Sequence, residues 1–195
     1  MSICISFEGR LDAPGRVGEL VDFLMTEAQR RRWPFELVYH HVSGVLPSEA
    51  GGLLLIEEYV QGIELRPFGS EGLQMLCNRE GVFTRYVEIP HTLIGSPVPD
   101  SEACYLQAPN WVRSTHPDGH TAIAGILRGV KDRFASDLCV DDDTGYWDTA
   151  DEQSLRFSYH MMSSVASAIA TPAAIEHLAR TLGPPPLVPR LRIVH

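Results

Sequence analysis

Apolar positions recur along this chain with two different periods. Val17, Leu20, Val21, Leu24 and Ala28 fall at the three-to-four spacing of one helix face, and Pro34 predicts where that helix stops. Asp12 stands where a side chain can cap its start. On either side the period drops to two. Residues 2–8 read as a first strand, and in PFELVYHHV residues Phe35, Leu37, Tyr39 and His41 share one face while Val38, His40 and Val42 share the other. LLLIEEYV, GIELRPF, GLQMLC and GVFTRYVEI continue as a meander of strands, with breaks predicted at Gly62, Gly69–Gly72 and Asn78–Gly81.

The proline-bearing stretch IPHTLIGSPVPDSEA reads as a linker, with its centre at residues 91–103. Beyond it CYLQAPNWV is extended, and a helix is predicted from about Pro117 to Phe134, striped by Ile123, Ile126, Leu127, Val130 and Phe134. LCVDD is a short strand. Thr149 and Glu152 have the spacing of a capping box, opening a helix lined by Leu155, Tyr159, Met162, Val165 and Ile169. Thr171 and Pro172 open a last helix that Gly183 closes, and PPPLVP leads into the tail. Strand, helix and strand occur in that order in both halves. The expectation is an α+β fold with a largely antiparallel sheet and helices packed on one face. It would be organised as a 1–90 half, a 91–103 linker and a 104–195 half, or as one continuous domain.

Composition narrows the function classes. A formal charge of −9 over 195 residues argues against a nucleic-acid partner, and the one tight basic cluster, Arg30 to Arg32, sits where it complements a helix dipole. No apolar run approaches the ~20 residues of a membrane span, and the N-terminal residues lack the pattern of a secretory signal. Cys4, Cys77, Cys104 and Cys139 form no C-x-x-C pair, which suits reduced, buried thiols and a cytoplasmic location. G-x-G-x-x-G, Gly-Lys and G-x-S-x-G are all missing, so no cofactor is expected and no nucleophile elbow is marked.

The acidic run DDDTGYWDTADEQ invites a calcium reading that fails. With Gly145 at the sixth loop position, Val140 occupies the first and offers no ligand. Of Asp141, Asp142 and Asp143, at most two can converge, because neighbouring strand residues face opposite ways. Acids ahead of a helix start account for most of the string. Asp148 and Asp151 meet the positive end of the helix dipole, and Tyr146 and Trp147 are left over, either packing on the core or forming a contact surface. His116 and His120 have a metal-compatible spacing of four, but no H-E-x-x-H surrounds them, and His120 shares the stripe of Ile123 and Leu127. No metal is expected. Gly125 and Gly129, both inside the predicted helix, point to a face lying close against another backbone.

DDDTGYWDTADEQSLR resembles a stretch in a group of uncharacterised bacterial proteins, where an acidic strand runs into G-Y-W-E-T and a D-E-x-L-L-R helix. That group is similar again upstream, with a Lys-Thr-Gln-like triplet before a helix that carries an early His. Here Arg113, Ser114, Thr115 and His120 hold the corresponding places, the triplet differs throughout, and Asp148 replaces Glu. The likeness covers about residues 105–170. It implies a shared fold and carries no activity.

These readings favour a non-enzymatic cytoplasmic binding protein for a protein partner or small ligand, its acidity suiting a basic partner as in an inhibitor or immunity protein. Self-association into a homo-oligomer is compatible with them. The rival is a hydrolase or transferase with a polar site built from Arg113, Ser114, His116 and His120 near Trp147 and Asp148. The two differ in whether those groups converge in one cleft.

Overall fold

Helix α1, Val17–Arg31, forms where the three-to-four spacing predicts it and buries Val17, Leu20, Leu24 and Ala28. It ends at Arg32, a left-handed residue followed by Trp33, whose N–H returns to Ala28 O at 2.9 Å. The computed structural model describes residues 2–47, 53–89, 103–107 and 110–169. Most of the linker, the helix expected after Thr171 and the proline-rich tail lie outside them.

The strands are β1 (Ile3–Glu8), β2 (Phe35–Pro47), β3 (Leu53–Leu65), β4 (Leu73–Cys77), β5 (Phe83–Ile89), β6 (Ala103–Gln107), β7 (Asn110–Ser114) and β8 (Cys139–Asp142). The other helices are α2 (Pro117–Arg133), the single turn α3 (Tyr146–Thr149) and α4 (Glu152–Ile169). The fold is α+β, as the two periods predict. The strands form two antiparallel sheets, ordered β7-β1-β8 and β2-β3-β4-β5-β6. β1 alternates Ile3, Ile5 and Phe7 inward, and lies between two strands that follow it by more than a hundred residues.

Several local expectations are corrected. Gly62 is not a break: β3 runs straight through it, and the glycine is required because a Cβ there would lie 2.1 Å from Met75 O of β4. Cys104–Val112 is two strands, not one extended segment. Asp12 caps nothing on α1; its carboxylate accepts from Ser136 N and Oγ at 2.9 and 2.7 Å and ties the α2–β8 connection to the start of the chain. Cys77 is buried, Cys4 half-buried and Cys139 exposed, so the thiols are not uniformly interior.

One main core joins both sheets. Ile5 and Phe7 of β1, Leu20 and Leu24 of α1, Ile63 and Leu65 of β3, Met75 of β4, Val112 of β7 and Ile123 and Leu127 of α2 all belong to it. A smaller cluster of Ala124, Tyr146 and Leu155 seats α3 and α4 on α2. Among the described residues no helix is long and apolar enough to cross a membrane.

Candidate functional site

The inner face of the three-stranded sheet carries a polar cluster. In its register Ile3 lies opposite Ser114, and Ile5 lies opposite Val112 on one side and Asp142 on the other. Strand alternation therefore aims Ser114 and Asp142 at the same side, separated by β1. His120, in the first turns of α2, bridges the two outer strands from above. Its Nε2 is 3.0 Å from Asp142 Oδ2 and its Nδ1 is 3.3 Å from Ser114 Oγ. Tyr159 of α4 closes the group: its hydroxyl hydrogen-bonds Ser114 Oγ and lies 3.4 Å from His120 Nδ1.

Asp142 is the best-satisfied group in the cluster. Oδ2 accepts from His120 Nε2 and from Trp147 N at 2.9 Å, and Oδ1 accepts from Thr144 N and Thr144 Oγ1, both at 2.8 Å. Burial pushes its pKa up, but the hydrogen bonds from His120 and then Thr144 outweigh this and hold it at about 2. An ionised Asp142 accepts only, so Nε2 of His120 is the donor. In the neutral ring Nδ1 is left to accept a hydroxyl proton. Burial raises Tyr159 to about 12, the bond to Ser114 working against the rise and the charge of Asp142 adding to it.

Ser, His and Asp in hydrogen-bonded sequence are the components of an activated nucleophile. Two features separate this arrangement from a working one. Ser114 is 1% exposed, His120 0%, and the side chain of Asp142 1%. The nearby backbone donors are also taken: Thr115 N–H by Gly69 O at 2.7 Å and His120 N–H by His116 O at 3.2 Å. An oxyanion on a substrate would find no free amide there.

The other residues singled out from the sequence scatter. Arg113, one position from Ser114, is exposed on the opposite face of β7, with its guanidinium 4.5 Å from the Trp111 ring and 3.8 Å from Glu71. It shares no cleft with His120. His116 is exposed and caps α2, its Nδ1 accepting from Asp118 N at 3.2 Å, so it does not pair with His120. Tyr146 packs inward beside Ala124 and Leu155, and Trp147 is half-buried against both clusters. Arg128 donates to Trp147 O at 2.7 Å and lies over both aromatic rings. Asp148 is exposed on the single turn of α3. Among the described residues no group of three His, Cys, Asp or Glu is placed to hold a metal ion.

Asp142, Thr144 and Tyr159 are the members that the sequence reading did not single out. A usable signal existed for Asp142: it shares a face with Val140, while Asp141 and Asp143 point away, and Asp143 Oδ2 accepts from Cys4 N at 3.0 Å. No protein-family model, curated protein or solved structure matches this chain.

A second feature lies at the edge of the larger sheet. Phe35, Leu37 and Tyr39 of β2 are 37%, 60% and 68% exposed. They share a face with His41, which stacks on Tyr59 of β3 at 4.5 Å. β2 ends its sheet, so among the described residues its outer backbone edge is unpaired.

Proposed function

We propose that this chain is a binding protein for another polypeptide, acting in the cytoplasm of a bacterium, and not a hydrolase or transferase. The exposed row of Phe35, Leu37 and Tyr39, on a strand edge that is unpaired among the described residues, carries this reading. An edge offers backbone N–H and C=O groups to an extended chain, and a row at alternate positions selects its side chains. An apolar edge without such an occupant is an aggregation hazard. Free cysteines at three described positions support a reducing compartment. Membership of the group with the G-Y-W-E-T motif is part of the same proposal, supported by residues 105–170 alone.

The rival reading has one observation behind it, the Ser114–His120–Asp142 relay, and its burial speaks against it. Incubation with a reactive fluorophosphonate, followed by mass spectrometry, separates the two. The binding reading expects Ser114 to stay unmodified. An adduct on Ser114 that vanishes in His120→Ala overturns it.

A further inference from the structure

We propose that the occupant of the β2 edge is a second copy of this chain, paired antiparallel about a two-fold axis at Val38 so that two sheets become one. The inference rests on reading the β2 row as a protein contact surface, and adds which protein and in what register.

The core face of the larger sheet extends one strand beyond its cover. Leu37 lies opposite Ile63 and Phe35 opposite Leu65 in the β2–β3 register, so all four share a face. Ile63 and Leu65 are fully buried in the core that α1 shares, yet Phe35 is 37% and Leu37 60% exposed. From Phe35 to Val42 the strand contains no proline or lysine, and Glu36 is its one acidic or basic side chain apart from histidine, so few of the devices that blunt a natural edge are present.

The sequence of β2 is complementary to itself in one register. With the axis at Val38, Leu37 faces the second copy's Tyr39 and Phe35 faces its His41, all on the apolar side. On the other side Glu36 faces the second copy's His40, an acid against an imidazole. No like charges oppose each other, so the contact does not concentrate the −9 that each chain carries. Moving the axis by one residue keeps the faces but sets Glu36 opposite Val38 or Val42, leaving it only its 3.2 Å contact with Arg66 of its own chain. Charge complementarity therefore selects the Val38 axis.

Sedimentation velocity of the full chain over a wide concentration range tests the association, and cross-linking tests the register. The parent is expected as a dimer. Val38→Cys should give a disulfide between copies at position 38 on mild oxidation, mapped by mass spectrometry and missing from the parent treated alike. Leu37→Lys, at an exposed position, should be monomeric with an unchanged circular dichroism spectrum. Glu36→Lys and His40→Glu should each weaken the dimer several-fold, and the double variant should recover it. A parent that stays monomeric, a Leu37→Lys chain that stays dimeric, or cross-linking through Leu37→Cys in place of Val38→Cys overturns the proposal. None of these outcomes touches the non-enzymatic reading, which falls only to the Ser114 adduct.

Discussion

Asp142 gathers four donors on one carboxylate, and the cost of removing it from water is met by that full set of bonds. Its folded pKa of about 2 lies below the ordinary 3.8. The stability it contributes is therefore present above the unfolded value and lost as pH falls through the folded one. The difference is worth about 2 kcal/mol. Urea midpoints measured from neutral pH down to about pH 2 should fall more steeply for the parent than for Asp142→Asn. At neutral pH the variant, whose NH2 group must face donors that the carboxylate accepts from, should be less stable by about 1–3 kcal/mol. Parallel acid limbs would mean that another carboxylate governs acid sensitivity. Tyr159 shifts the opposite way, because its neutral form is the stable one when buried. Its contribution is present below the ordinary tyrosine pKa of 10.0 and is lost as pH rises through about 12. In an absorbance titration, Tyr159→Phe should remove a late-ionising component. Loss of an early component would place that hydroxyl in solvent.

Element starts and close contacts show how far local sequence can be read. Every described helix of more than one turn was visible in the apolar spacing, yet the cap of α4 was misplaced. Asp151, not Thr149, accepts from Gln153 N and Ser154 N at 2.9 and 3.2 Å, and Thr149 instead donates back to Gly145 O within the α3 turn. That single turn has too few residues to show a period, so the box appeared to begin two positions early. Asp151→Ala should cost about 1 kcal/mol, and Thr149→Ala clearly less; the reverse order in denaturation midpoints would restore the capping box. The backbone contact expected at Gly125 and Gly129 is corrected, since the nearest atoms at both positions belong to side chains. A Cβ at Gly125 meets only Arg31 Nη2 at 3.9 Å, whereas one at Gly129 would lie 2.8 Å from Phe23 Cζ on α1. Backbone approaches the helix at Gly119, where a Cβ would sit 2.6 Å from Phe68 O. Gly125→Ala should therefore gain up to about 1 kcal/mol from helix propensity. Gly119→Ala and Gly129→Leu should each lose about 1–3 kcal/mol by overpacking. Equal melting temperatures for all three would contradict this assignment of contacts.

At the scale of the whole molecule, strand pairing joins the start of the chain to its second half. β1 is held by β7 and β8, and Cys4 N donates to the carboxylate of Asp143. Periodicity reports which face of a strand is buried but not which distant strand covers its edge. For this reason the α+β class was legible, while the division into two sheets and the meeting of Ser114, His120 and Asp142 were not. Unfolding followed by tryptophan fluorescence and by circular dichroism should give one coincident transition. Fragments 1–90 and 104–195 made separately should show no cooperative melt, since each lacks strands that the small sheet requires. A sharp transition in either fragment would show that this half holds its structure alone.

The position of β1 also bears on synthesis. The strand leaves the ribosome about 100 residues before β7 and still longer before β8, so at about 5–20 residues per second both its edges wait several seconds for partners. The backbone N–H and C=O groups of Ile3–Glu8 lack their ladder partners during that interval. The nascent chain thus carries a strand with both edges open, and translation speed after residue 8 sets for how long.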